Sequence, residues 1–246
     1  MMNLIKENVK NLTSLWRIVG DRVHAYTRGD DFDISAITDS EWPNRLWFHH
    51  DINERSLKAA KESLLSVSTN LIVPYWDIYQ SRSYEFLESN GFEKLFEQVG
   101  MSLALTQAYE TIGTLQIEKV TSKKTALVWD ELFKQAFNYR IHHDLLMSSY
   151  MDIDYLIAYH NKQPVGTAIL HHSKEAVIGV HAMGIIPEMR RKGFAEQMML
   201  NLLGKATEQG FKYATLQASD LGKGLYLKLG FEEQFIMKNY VLQHPM

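Results

Sequence analysis

A chain of 246 residues, 46% hydrophobic and 22% charged, has the makeup of a globular protein with room for one large domain or two of about 100–130 residues. A formal net charge of −3 without any long basic block argues against nucleic acid as a partner. With no cysteine there is no disulfide, thiolate metal site or cysteine nucleophile, and no apolar run approaches the ~18 residues that span a bilayer.

The opening residues, MMNLIKENVKNLTSLW, are interrupted by Lys, Glu and Asn too often for a secretory signal, so a soluble cytoplasmic protein is expected. Leu4, Val9, Leu12 and Leu15 share one side of a helix reaching about Trp16. Arg22 to Ile37 shifts to strand patterning. A helix is predicted over Ser56–Ser66, a buried strand over Asn70–Trp76, and a short helix over Tyr84–Asn90 stopped by Gly91. Leu115–Val120 reads as a strand, and Thr125–Tyr139 as an amphipathic helix. Tyr155–Tyr159 and Val165–Leu170 form a hairpin, followed by a strand over Ala176–Ile186. The helix Phe194–Gln209, closed by Gly210, leads into a strand over Lys212–Ala218; such a crossover makes these last two strands parallel.

A faint repeat links the halves. Residues 87–96, LESNGFEKLF, align with residues 226–235, YLKLGFEEQF, each closing a short helix between strands. The expected organisation is therefore two related α/β (α+β) units, residues 1–110 and 111–246, with a tight boundary near residues 106–112.

The stretch from Val177 to Phe231 carries the chemistry. A strand ends at Ile185-Ile186-Pro187, a turn brings Arg190-Arg191-Lys192-Gly193-Phe194-Ala195, and a long helix follows directly. Gly193 permits close approach of a ligand, and the first amides of the helix lack internal acceptors, so the segment suits a phosphate. A solvated basic turn is the plain alternative. Downstream come Ser219, Gly222, Tyr226 and Leu229-Gly230-Phe231.

Over residues 115–242 the chain resembles the GNAT superfamily of acyl-CoA N-acyltransferases. That family's Q/R-x-x-G-x-G/A motif is matched by Arg190, Gly193 and Ala195, and its Tyr-x-x-x-Gly-Phe segment by Tyr226, Gly230 and Phe231. The resemblance implies a mixed central sheet flanked by helices, acetyl-CoA as co-substrate, and a primary amine of a small molecule or peptide as acceptor. It implies that the amides from Arg191 to Ala195 hold the pyrophosphate, that the pantetheine arm pairs with Ile185 and Ile186 where two central strands splay, and that Tyr226 is the general acid. Ser219 stands where the family often places a polar residue near the coenzyme; a simple helix N-cap is the alternative.

The family's usual glutamate falls at about Gly179, so that carboxylate is missing. His181, two residues on and on the same strand face, is a candidate base, beside a water chain or a core histidine. Tyr139, His143 and Asp144 are candidate acceptor contacts, equally explained as a solvated loop. The doublets His49-His50, His142-His143 and His171-His172 lack metal-ligand spacing, so no metal is expected. The N-terminal half has no phosphate motif and carries Leu87 in the place of Tyr226, which makes it a degenerate copy. Its Trp16, Trp42, Trp47 and Trp76 read as packing residues. A homodimer is among the expected states. The rival readings are a non-catalytic acyl-CoA-binding or regulatory protein and a tandem GNAT transferase using another donor such as aminoacyl-tRNA.

Overall fold

The computed structural model describes residues 2–38, 40–110, 113–172 and 176–243. Helix α1 (Leu4–Arg22) starts where the Asn3 side chain accepts from the Lys6 amide at 3.1 Å. It runs past the predicted end because Val19 and Gly20 prolong the buried stripe of Leu12, Leu15 and Trp16. Strands β1 (Tyr26–Arg28), β2 (Phe32–Ser35) and β3 (Arg45–Phe48) lead to α2 (Glu54–Ser66). Then come β4 (Ile72–Trp76), α3 (Tyr84–Ser89) and β5 (Phe92–Ala104).

The second half contains β6 (Leu115–Lys119), α4 (Lys123–Phe137), α5 (His143–Ser149), β7 (Asp154–His160), β8 (Gln163–His172) and β9 (Val177–Ile185). A 3-10 turn (Pro187–Met189), α6 (Phe194–Glu208), β10 (Tyr213–Ala218), α7 (Asp220–Lys228) and β11 (Glu232–Leu242) complete it. The segment after His142 is helix rather than loop, because Leu145, Leu146 and Ser149 bury one side of it.

All strands join one 11-stranded sheet in the order β1-β2-β3-β4-β11-β5-β10-β9-β8-β7-β6. The final strand of each half is exchanged: β5 pairs antiparallel with β10, and β11 antiparallel with β4, while β5 and β11 pair with each other. On either side of that central pair the same sequence of partners recurs, since β3 is parallel to β4 as β9 is to β10. Both exchanged strands leave a short helix through a left-handed glycine, Gly91 (φ 85°) and Gly230 (φ 91°).

One sheet face is covered by α1, α4 and α5, with Trp16, Trp129, Phe133 and Leu146 in its core. The other is covered by α6 and α7 over one half, around Met198, Leu202 and Phe231, and by α2 and α3 over the other, around Leu57, Leu64 and Leu87. Trp16, Trp42, Trp47 and Trp76 are all buried in the first of these cores. No helix among the described residues is long and apolar enough to cross a membrane.

Candidate active site

Strands β9 and β10 pair at only three positions, Val177–Tyr213, Ile178–Ala214 and Gly179–Thr215, and then part. The cause lies in β9, whose ladder with β8 shifts register between Thr167 and Ile169. Ala182 there takes a left-handed φ of 48°, a conformation costing an L-residue roughly 1–2 kcal/mol. The Thr167 hydroxyl donates to the Ala182 carbonyl at 3.3 Å and helps hold it.

A cleft of about 620 Å³ opens in the gap. Its walls are Val180 to Met183 of β9, Leu216 and Gln217 of β10, and Ser219, Asp220 and Tyr226 at α7. The first half closes it with Leu12, Leu15 and Trp16 of α1, with Trp42 and Arg45, and with Phe96 to Gln98 of β5.

Helix α1 bridges the parted strands through two buried asparagines. Asn8 donates to the Met101 carbonyl at 3.0 Å and accepts from Gln217 Nε2 at 2.5 Å, on the β5–β10 side. Asn11 donates to the His171 carbonyl at 2.9 Å and lies 2.9 Å from His181 Nε2, on the β8–β9 side.

Beyond β9, the turn reaches Gly193 (φ 79°), the N-cap of α6, which has no side chain to fold back onto the helix. The amides of Phe194, Ala195 and Glu196 have no intrahelical acceptor, since the first bond runs from the Gln197 amide to the Gly193 carbonyl. Arg190 braces this loop: Nε donates to the Ile185 carbonyl at 3.0 Å and Nη2 to the Ala136 carbonyl at 2.8 Å, at the negative end of α4. Arg191 and Lys192 are exposed, and no carboxylate among the described residues pairs with them. Ile185 and Ile186 are buried. The Ile186 amide already donates to the Val165 carbonyl, so the free edge toward β10 lies mostly at Val180 to Met183, just before the predicted pair.

Tyr226 is held by the end of its own helix. Its carbonyl accepts from the Phe231 amide at 3.0 Å while Gly230 donates to Leu227, a Schellman closure that sets the Phe231 ring 5.8 Å from the tyrosine ring. The Tyr-x-x-x-Gly-Phe spacing is thus the spacing of a helix stop. A Cβ on Gly222 would stand 3.1 Å from the tyrosine ring, so glycine leaves room for it. Tyr226 is 9% exposed, and burial pushes its phenol up to about 12. Ser219 is the N-cap of α7, makes no capping bond, and lines the cleft.

His181 lines the same cleft, buried, with its pKa lowered to about 3 by desolvation, then by His171. Because the Asn11 amide nitrogen is committed to the His171 carbonyl, the Asn11 oxygen faces His181 and takes a proton from Nε2. Such a ring is neutral near pH 7 and orients rather than stores a proton. His171, beside Ser14 at 2.7 Å, is likewise lowered, to about 4. Both rings protonate near pH 6.5 once unfolded. Their contribution to stability is therefore complete above pH 6.5 and is lost as pH falls toward about 4 and 3. Urea titrations between pH 7 and pH 5 should show a fall approaching about 1.4 kcal/mol per pH unit for each ring, and His181→Gln should leave only the share of His171.

Gly179 has no room for any side chain: a Cβ would sit 1.9 Å from Asn11 Oδ1 and 2.4 Å from His181 Nε2. The asparagine of α1 and the histidine fill the space a carboxylate would need. Gly179→Ala should cost about 1–3 kcal/mol by overpacking, read as a lowered melting temperature.

Of the predicted acceptor contacts, Tyr139 stands in the cleft wall, its hydroxyl raised by burial. His143 and Asp144 lie outside this lining. His143 is spent on Asp130, a fully buried carboxylate that also holds Arg140 Nε at 2.6 Å. Asp130, His142 and His143 bring possible ligand atoms within 4.8 Å of one another, but Arg140 already neutralises the aspartate.

Residues 152–233 match the family model described as an acetyltransferase (GNAT) domain. That stretch of the chain is similar to a GNAT domain. Solved structures share its fold along nearly the whole length. A GCN5-related N-acetyltransferase from Kribbella flavida has a TM-score of 0.72 at 14% identity, with 96% of each chain covered. One from Sphaerobacter thermophilus has 0.63 at 13%, covering 88% of this chain and 78% of that one. A GCN5-related N-acetyltransferase-like protein from Streptococcus suis has 0.57 at 14%, covering 96% and 100%. No curated protein matches the chain.

In the first half the strand-to-helix turn at the start of α2 carries a capping box where α6 has a glycine N-cap, so one of its first helical amides is already taken. The Asn53 side chain accepts from the Ser56 amide at 3.0 Å, Ser56 Oγ accepts from the Asn53 amide at 3.1 Å, and Asp51 sits just ahead. The start of α2 therefore offers fewer free amides than the start of α6.

Proposed function

We propose that this chain is an N-acyltransferase that moves an acetyl or other short acyl group from coenzyme A to a primary amine of a small molecule or peptide. Residues 111–246 form the catalytic unit, and residues 1–110 are a degenerate GNAT-like copy that completes the acceptor side of the cleft. The observation that carries this reading is one strand serving two ends. β9 parts from β10 to open the cleft holding Tyr226, and it then delivers the chain to the uncapped start of α6.

In this reading the amides from Arg191 to Ala195 hold the pyrophosphate, with Arg191 and Lys192 adding charge and Arg190 bracing the loop. The pantetheine arm runs along β9 toward Ile185 and Ile186, and Ser219 borders it. The amine nitrogen attacks the thioester carbon in a ternary complex, and the carbon–sulfur bond breaks. The leaving sulfur is stabilised by the Tyr226 hydroxyl, and the amine proton leaves by water alongside the neutral His181.

The test is calorimetry with acetyl-CoA followed by free-thiol release over a panel of amines. Saturable binding with amine-dependent thiol release is expected. Binding without release from any amine fits a binding protein instead, and no binding ends the reading.

A further inference from the structure

We infer that Arg45 is an acceptor-specificity residue, receiving a carboxylate that the acceptor carries at the far end of an apolar spacer from its reactive amine. This inference rests on the transferase reading of the same cleft. Arg45 opens β3 and lines the cleft, with its guanidinium 5.5 Å from the Trp16 ring centroid. Nη1 donates to the Asn44 carbonyl at 2.8 Å, but Nε is buried with no acceptor. No carboxylate among the described residues lies within ion-pair distance of it.

Burial lowers its pKa to about 10 and Tyr139 opposes that shift, so the group stays cationic at neutral pH. A half-buried guanidinium that lines the cleft without an anion leaves donors open to a ligand there. Its planar fork matches a carboxylate in two parallel hydrogen bonds.

The route from Arg45 to the reacting end is aromatic. Tyr139 neighbours Arg45, its ring lies 6.3 Å from that of Phe137, and Phe137 packs on Gly184 in the bulged strand β9. An acceptor spanning that wall needs an apolar stretch between its charges. Asp220, at the α7 side of the cleft, supplies the opposite sign for an incoming ammonium. The carboxylate end is thus built by the first half of the chain and the amine end by the second.

The experiment compares ω-aminohexanoate with its primary amide, and with shorter aminocarboxylates, by thiol release in wild type, Arg45→Gln and Arg45→Lys. Wild type should prefer the carboxylate by about thirtyfold or more in kcat/KM, and Arg45→Gln should reduce that to about threefold, mainly through KM. Arg45→Lys should restore part of it by keeping the charge without the fork. Acetyl-CoA affinity and melting temperature of each variant are measured alongside and should stay near wild type. Equal use of carboxylate and amide by wild type, or equal slowing of both by Arg45→Gln, overturns the inference while leaving the transferase intact. If wild type binds no acetyl-CoA and releases no thiol, the transferase reading has failed. Saturation-transfer NMR of the same pair then decides Arg45 separately: an Arg45-dependent preference for the carboxylate supports it, and none overturns it.

Discussion

Gly193→Asp should lower acetyl-CoA affinity by about a hundredfold or more while shifting the melting temperature by only a few degrees. A Cβ at Gly193 meets nothing nearer than Gln197 Nε2 at 4.0 Å, so there is no packing clash. The left-handed φ of 79° costs a side chain about 1–2 kcal/mol, and aspartate, a good N-cap, recovers some of that. The loss of binding has another origin. The new carboxylate occupies the amides that face the diphosphate and repels its charge. A hundredfold corresponds to about 2.7 kcal/mol, which the loss of two charge-assisted hydrogen bonds covers. The start of α2, where the Asn53 side chain accepts from the Ser56 amide, is this chain's own example of a side chain taking a helix-terminal donor. Gly193→Ala is the control: it carries the strain without the charge and should weaken binding by about tenfold at most. Calorimetry reads both. An aspartate variant that binds like wild type places the diphosphate elsewhere.

The parts of this fold that follow from local pattern were legible in the sequence. The 3.6-residue stripes of α1, α4 and α6, the hairpin of β7 and β8, and the glycine stops at Gly91, Gly210 and Gly230 all depend on neighbours a few residues apart. So does the segment from Arg190 to Ala195, because a glycine N-cap after a strand is a local event. The exchange of β5 and β11 was not legible. Its ladders join residues such as Ala104 and Tyr213, more than a hundred positions apart, and each strand reads the same whichever partner it takes. Strand β3 is four residues long, and its apolar part, Leu46-Trp47-Phe48, is too short to announce a strand. The dual grip of Asn8 and Asn11 reads in sequence as two polar interruptions of a helix. Their spacing of three is the one signal that could have placed them together on the buried face. The bulge at Ala182 has no signature at all, since alanine is not a residue that advertises positive φ.

Tyr226→Phe should reduce turnover ten- to a hundredfold and leave acetyl-CoA affinity within about twofold, as expected of an interaction made only as charge develops on sulfur. The magnitude follows from what the hydroxyl can supply. With its pKa pushed up to about 12 by burial alone, the phenol holds its proton through the whole neutral range. A thiolate whose thiol titrates near 8.5 in water cannot remove that proton outright, the gap of about 3.5 units being worth close to 5 kcal/mol. Donation of a strong hydrogen bond to the departing sulfur is the cheaper course. Hydrogen bonds to charged groups contribute about 1.5–3 kcal/mol, and each 1.4 kcal/mol is tenfold in rate. Removing the hydroxyl leaves little else disturbed. It bonds to no described residue, and the ring keeps its contact with Phe231 and its place against Gly222. Stability should therefore move by about 0.5 kcal/mol or less. The pH–rate profile of the variant should keep its shape, because neither Tyr226 nor His181 titrates between pH 5 and pH 9 and the rise follows the acceptor amine. A phenylalanine variant with undiminished turnover on a verified acceptor assigns stabilisation of the sulfur to another donor, and Ser219, which also lines the cleft, becomes the next residue to replace.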